Sequence, residues 1–500
     1  LFRSVMLSRR QFVQSLLAFA LLPKQLLQAK GFLSPNAFKV PPLELGSRSG
    51  KNVYFDLNIQ SGKSAILPNR LTPTLGINQS FLGVTLRANK GDRVHIKVKN
   101  NYQKTSTLHW HGAKLPAKAD GGPHQPIKPN STWLSEFDII QPAATLWYHS
   151  HQMHETGLQV YHGLAGMFIV DDDESKRLDL PSDYGVDDFP VIIQDKDFNQ
   201  DGSFKYISDF REKLMGKKGE TILVNGVINP VLKATKSLIR LRLLNGSNAR
   251  TYHLNFDDGR MFNIIASDGG LLEKPEMVHS IKLAPAERAE ILVDVSDGKM
   301  PILRHKMHMK KSANRMSGMM MMQQAQGKKL EFDIFQIDAS GVSGPSKKIP
   351  KNLVKHDNPS AQLISNKRIF KLQMQMGPQL AFGAVMGSKD LLKINGNTMD
   401  INRIDEVVKA GSVELWEIEN TSMMEHPFHI HNVQFKIVSR RGKIKGHELG
   451  FKDVVLVRPH ETVQVLIEFP KFSDSKTPYM YHCHILEHED RGMMGQFVVV

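Results

Sequence analysis

Four His-x-His pairs occur in this chain: His109/His111, His149/His151, His429/His431 and His482/His484. About one such pair is expected by chance at this histidine content, and an isolated pair reads as readily as two partly exposed histidines. Four pairs, two in the first third and two in the last, are a different matter. Residues i and i+2 of a strand point to one face, so each pair presents two imidazoles side by side. Eight rings from the two ends of the chain could meet at one interface, and imidazole suits copper, zinc, iron and nickel. The last pair encloses a thiol, His482-Cys483-His484, whose side chain points to the opposite face, so one strand can serve two metal sites. His488 and Met493 follow within ten residues, and His426 precedes the third pair. Together His426, Cys483, His488 and Met493 offer two nitrogens, a thiolate and a thioether, the donor set of a blue-copper electron-transfer site.

These residues need short strands to hold them, and beyond residue 45 the chain reads that way. Alternating runs separated by Gly, Pro, Asn and Asp predict β-sandwiches or barrels. Three runs stand out: 94–100, 238–245 and 413–420, each ending in Asn. Upstream of each lies a related turn, at Asn78, Asn225 and Asn395. Eight or nine residues downstream comes a histidine, His109, His253 or His429. The same order three times indicates a triplicated domain. Composition shifts around 171–188 and 341–360 mark linkers. The expected division is 45–172, 186–340 and 360–500, with the two ends facing each other and no metal ligands in the middle copy, where Tyr252-His253-Leu254-Asn255 replaces a pair.

Composition bounds the remainder. The 500 residues allow about three domains. At 41% hydrophobic and 23% charged, the chain is neither disordered nor a multi-span membrane protein. Its single cysteine excludes an intrachain disulfide, a Cys-rich zinc module and an iron–sulfur cluster. With 21 histidines and 23 methionines, nitrogen and thioether must dominate any metal site. The net charge of +15 is spread without a nucleic-acid-binding signature, so a basic solvated surface and no nucleic-acid partner are expected. At the amino end, Ser8-Arg9-Arg10-Gln11-Phe12 precedes an apolar run to Leu22 that is too short to span a bilayer. Residues 1–30 resemble a twin-arginine export signal, which implies periplasmic residence and no membrane span in the mature protein.

Leu108-His109-Trp110-His111-Gly112, Trp147-Tyr148-His149-Ser150-His151, His426-Pro427-Phe428-His429-Ile430-His431 and the segment from His482 to Met493 resemble the copper-binding motifs of the three-domain multicopper oxidases, which include laccases and bacterial copper-efflux (cuprous) oxidases. The resemblance implies an all-β fold of three consecutive cupredoxin-like Greek-key β-sandwich domains. It also implies four copper ions: type 1 on His426, Cys483, His488 and Met493; type 2 on His109 and His429; and a type 3 pair on His111, His149, His151, His431, His482 and His484. The trinuclear cluster would lie between the first and third domains. Such an enzyme couples four one-electron oxidations to reduction of O2 to water. Asp120, in Asp120-Gly121-Gly122, and Glu489 match acidic positions that the family uses for proton supply, although either acid alone reads more naturally as a solvated surface charge.

Seven methionines fall within 307–322, among lysines and serines that do not suit a packed core. Soft thioethers favour Cu(I). Met319 and Met320 from this run, with Met376 and Met424, are the expected substrate methionines, and cuprous ion in copper tolerance is the expected reductant. The resemblance to copper-efflux oxidases departs in two ways. Ala381 and Ser422 stand where those enzymes carry acids, and the methionine run sits late in the second domain instead of after it. Ferrous ion, with Glu425 as a hard oxygen ligand, and phenols are the alternative reductants, and a periplasmic copper-sequestering protein is the non-enzymatic alternative. A monomer is expected.

Overall fold

In the strand Arg93–Asn100, Val94, Ile96 and Val98 are buried while Arg93, Lys97 and Lys99 face solvent, the outcome that period-2 alternation demands of a half-covered sheet. The computed structural model describes residues 36–306, 330–374 and 391–500, and everything below concerns these. The signal-like segment 1–30, the methionine run with Met319 and Met320, and Met376 lie outside them.

Six sheets pair into three cupredoxin-like sandwiches. In the first domain, Thr132–Asp138, Arg93–Asn100, Asn52–Ser64, Thr72–Ile77 and Leu82–Gly83 form one sheet, and Leu43–Glu44, Thr85–Asn89, Ala165–Asp171, Ala144–His149 and His109–His111 form the other. In the third, one sheet runs Leu392–Ile394, Ile364–Met374, Val413–Asn420, Thr462–Glu468 and Phe435–Ser439. Its partner runs Glu406–Val408, Met494–Val499, Asp474–Cys483, His426–Ile430 and Val454–Val457. The middle domain stacks a seven-stranded sheet centred on Leu238–Asn245 against one containing Tyr252–Phe256 and Ile302–Lys306. Each alternating run pairs in parallel with the first long strand of its own domain: Asn52–Ser64, Asp188–Lys196 and Ile364–Met374. No helix among the described residues is long and apolar enough to cross a membrane.

The repeated asparagines do the same work three times. Asn78, Asn225 and Asn395 sit at φ of 59°, 50° and 52°, a region that Asn enters more readily than most residues. Their Oδ1 atoms accept the N–H of Asn58, Ile192 and Lys371 at 2.7, 2.8 and 2.7 Å, and their Nδ2 atoms donate to the carbonyls of Asp56, Pro190 and Ile369. The strand-ending Asn100, Asn245 and Asn420 are buried. Each accepts the N–H two residues on, from Tyr102, Ser247 or Ser422, and donates to a carbonyl four or five residues on, at Lys104, Arg250 or Met424. A third bond reaches Ile127, Leu283 or Val457. These side chains pin the loops that lead into the histidine-bearing strands.

The middle run departs from simple alternation. Leu238–Asn245 is buried on both faces, arginines included. Arg242 donates to Asp188 at 2.7 Å and to Glu290 at 2.9 Å, while Arg240 shares Glu290. Glu290 also accepts from Thr145 of the first domain at 2.6 Å. The polar face is therefore an interdomain contact, tolerated because every buried charge has a partner. Asn245→Ala would strand a buried N–H and two carbonyls, each costing about 1–3 kcal/mol when unsatisfied. Scanning calorimetry should show an earlier unfolding transition, with the circular-dichroism spectrum retained at room temperature. An unshifted transition would remove the clamp from the account of this domain.

Candidate metal centre

The strand His109–His111 lies beside Ala144–His149 with His109 opposite His149, and His426–Ile430 lies beside Asp474–Cys483 with His429 opposite His482. Strand period turns each pair's two rings to one side. The buried histidines of the first and third domains consequently meet. His109, His111 and His429 place ligand atoms within 4.8 Å of one another, as do His111, His149 and His484, and again His151, His431 and His482. Cys483 faces the other way, into the third domain's core, where it groups with His426 and His488. Among the described residues no such group draws on the middle domain.

Hydrogen bonds assign one nitrogen of most rings as donor and leave the other as a lone pair aimed inward. His109 Nδ1 donates to the Asp120 carbonyl at 2.9 Å and His429 Nδ1 to the Asp453 carbonyl at 2.7 Å, while both Nε2 atoms are buried without a partner. His431 Nδ1 lies 2.8 Å from Asp120 Oδ2, and His111 Nε2 lies 3.0 Å from Asp453 Oδ1. Each aspartate thus binds one histidine of its own domain through its carbonyl and one of the opposite domain through its carboxylate. His149 Nδ1 donates to the Ser150 carbonyl at 2.8 Å, leaving its Nε2 3.3 Å from His111 Nδ1. In the third group, Nε2 of His482 lies 3.2 Å from that of His151 and 3.3 Å from that of His431. His484 has no hydrogen-bond partner at either nitrogen.

Burial pushes three of these rings below their ordinary range, against the pull of Asp120 in the case of His431: that ring and His488 to about 4, and His484 to about 3. His111, His149, His151, His426, His429 and His482 are pushed well below by burial first and their neighbours' charges second. These nine rings are therefore neutral, the form that binds metal. Lone pairs converging without a shared proton call for a cation, so the residues fit a cluster of borderline metal ions such as copper.

The thiol site is built alike. His426 Nδ1 and His488 Nδ1 lie 3.4 and 3.5 Å from Cys483 Sγ, while their Nε2 atoms are held by Ser422 Oγ and the Leu214 carbonyl, each at 2.8 Å. Leu214 belongs to the middle domain's short helix Phe210–Met215. Met493 is fully buried in the same core, and its carbonyl accepts the Cys483 N–H. Burial pushes the Cys483 thiol above its ordinary range, so a thiolate here needs a cation beside it, and the donor set suits copper.

Asp120 and Glu489 are buried, not solvated as their residue type suggests in isolation. Burial opposes ionisation of Asp120, but His431 and His109 hold its carboxyl below the usual range. Glu489 lies 3.3 Å from Nδ1 of both His151 and His482. Burial, with Asp490 and Glu487 nearby, holds its carboxyl well above the usual range.

With this geometry in place, the comparisons with known proteins decide the family. Residues 58–175 and 365–500 each match the family described as "Multicopper oxidase". This chain belongs to the multicopper oxidases. It is 38% identical over 91% of its length to "Multicopper oxidase mco" of Staphylococcus epidermidis, covering 90% of that protein. It is also 36% identical over 99% of its length to "Cell division protein FtsP" of Xenorhabdus nematophila, covering 98% of that protein. Among solved structures, the laccase of Pediococcus acidilactici Pa5930 superposes with a TM-score of 0.80 at 34% identity, over 93% of this chain and 94% of that one.

In this multicopper oxidase, several contributors escape the motifs. Arg288, from the middle domain, is fully buried and donates to Asp453 twice at 2.6 Å, to the Thr145 carbonyl at 2.9 Å, to the Asp268 carbonyl at 2.9 Å and to the Ala286 carbonyl at 3.2 Å. All five guanidinium N–H groups are used, across all three domains. Gly112 explains itself here: at φ of 87° its absent Cβ would lie 2.6 Å from both Arg288 and Asp453. The signal for Asp453 is a charge, Lys452-Asp453, abutting the apolar strand Val454–Val457. Arg288, Ser422 and the Leu214 carbonyl carry no local signal.

Arg288→Met would leave the Asp453 carboxylate buried and unpaired, a loss of about 3–5 kcal/mol. The folded fraction should lose copper from the histidine groups while keeping the blue thiolate absorbance. Metal analysis showing unchanged copper content would remove Arg288 from the support of His111.

Proposed function

We propose that this multicopper oxidase takes single electrons from cuprous ion in the periplasm, for copper tolerance, and delivers four of them with four protons to O2, yielding two waters. The carrying observation is the complete set of buried, inward-facing donors: eight histidines in mixed groups from two domains and a separate thiol group. Similarity extends over nearly the whole chain to proteins named for cell division, so the intact donor set, more than overall likeness, supports oxidase chemistry.

In this reading His426, Cys483, His488 and Met493 hold the type 1 copper, and His109 and His429 the type 2 copper. The type 3 pair divides between His111, His149 and His484 and His151, His431 and His482. Bound copper supplies one-electron acceptance at the thiol site and four-electron reduction of O2 at the cluster. The peptide links from Cys483 to His482 and His484 give a short covalent path between them. Asp120 and Glu489 move protons: Asp120 Oδ1 accepts no hydrogen bond, whereas both oxygens of Asp453 are occupied by Arg288, so Asp453 positions and Asp120 exchanges. Gly121, at φ of 75°, lets the Asp120 carbonyl reach His109 because any Cβ there would strike the Leu108 carbonyl.

Cuprous ion is favoured over ferrous ion by the state of Glu425. Its carboxylate accepts Lys282 Nζ at 2.6 Å, so the hard oxygen that iron would need is already neutralised. Met424 is buried in the thiol site's core, and Met319, Met320 and Met376 complete the soft-donor set of this reading. Ser8-Arg9-Arg10-Gln11-Phe12 supports twin-arginine export.

Three measurements test the proposal. Purified protein should carry about four coppers with an intense blue thiolate band, and a colourless zinc protein would overturn the assignment. Side-by-side oxidation of Cu(I), Fe(II) and a phenol should be fastest with Cu(I); equal rates with the phenol would sink the cuprous assignment. Asp120→Asn should stay blue while O2 consumption slows by about 100-fold, and undiminished consumption would remove Asp120 from proton delivery.

A further inference from the structure

Beside the thiol site, two soft donors meet on the surface. His460 Nε2 lies 3.0 Å from Met423 Sδ. Met423 is 64% exposed and His460 is exposed too, so neither is placed by core packing. Their neighbours hold them there. Asn420 donates to the carbonyls of Met424, Val457 and Arg458 at 2.7, 3.0 and 3.1 Å, and its backbone N–H donates to the Glu461 carbonyl at 2.9 Å. One buried side chain thus ties the Met423 loop to the His460 turn, although the two residues are 37 positions apart. Glu461, in turn, accepts the Arg458 backbone N–H and Arg440 Nη2, both at 2.9 Å, which fixes the turn.

The path inward is equally short. Ser422, adjacent to Met423, is buried, donates to Asn420 Oδ1 at 2.8 Å and lies 2.8 Å from His426 Nε2. A cation held by Met423 and His460 is therefore one residue and one hydrogen bond from a ring of the thiol site. A thioether with one imidazole suits Cu(I), and thioether is a poor donor for Cu(II).

We propose that Met423 and His460 form a surface landing site for cuprous ion. Cu(I) bound by Sδ and Nε2 would give up one electron by way of Ser422 to His426, one of the residues that would hold the type 1 copper, and leave as Cu(II). Four such events supply the electrons for one O2, and no bond in the protein is made or broken. This inference rests on the cuprous reading above and pairs a surface methionine with an imidazole outside the copper motifs.

The test uses the copper-loaded enzyme with Ag(I), a redox-inert ion of the same charge and softness, alongside Cu(I) kinetics. The variants are Met423→Leu, His460→Asn and the double variant; Asn suits position 460 because its backbone is left-handed, at φ of 53°. The double variant should bind about one Ag(I) fewer, and its KM for Cu(I) should rise at least about tenfold. The ratio of its Cu(I) to phenol kcat/KM should fall in proportion. Unchanged Ag(I) stoichiometry with unchanged KM would overturn the landing site while leaving the cuprous reading intact. Wild-type enzyme that oxidises Cu(I) no faster than a phenol would overturn the cuprous reading and the landing site's role in it.

Discussion

The buried pair of Arg288 and Asp453 is the contact on which the metal centre depends. An arginine without solvent access must satisfy five N–H groups, and Arg288 does so only where all three domains converge. Asp453, neutralised by it, orients His429 through its carbonyl and His111 through its carboxylate. The middle domain, which contributes no grouped ligand among the described residues, is thereby part of the centre's construction. It holds the carboxylate that holds the rings, and through the Leu214 carbonyl it also orients His488.

Asp120 occupies the mirrored position on the first domain but lacks an arginine. Related backbone geometry therefore yields two carboxylates with different chemistry. One has both oxygens locked in an ion pair, and the other keeps an oxygen unused beside His109. The two duplicated positions have diverged in their partners: a guanidinium holds both oxygens of Asp453, whereas His431 and His109 hold the Asp120 carboxyl below the usual range.

The surface next to the thiol site follows a related logic. Ser422 holds His426, Glu425 is paired with Lys282, and the soft donors Met423 and His460 remain outward. On the cuprous reading proposed above, a site that offers sulfur and nitrogen and withholds free carboxylate would favour a soft monovalent cation over a hard divalent one. The same asparagine that ends the third alternating run fixes this surface pair and the loop beneath it. One repeated structural device thus serves the fold in three domains and the proposed entry point in one.

The sequence by itself determined the sandwich class, the threefold repeat and the identity of the paired histidines, because strand alternation and i, i+2 spacing are local properties that survive without knowledge of partners. Even the facing of Cys483 away from His482 and His484 follows from strand period. Only tertiary structure decided how the histidines group, since His111 joins His149 and His484 while His151 joins His431 and His482, with His111 meeting His484 and His151 meeting His482 across more than 300 positions in the chain. It also decided that Asp120, Glu489, Arg240 and Arg242 are buried. Type and neighbours suggest solvent for such charges, and only a partner brought from another strand or domain makes their burial affordable. Arg288 illustrates the limit: nothing around it in sequence distinguishes it, and its role exists only where three domains meet.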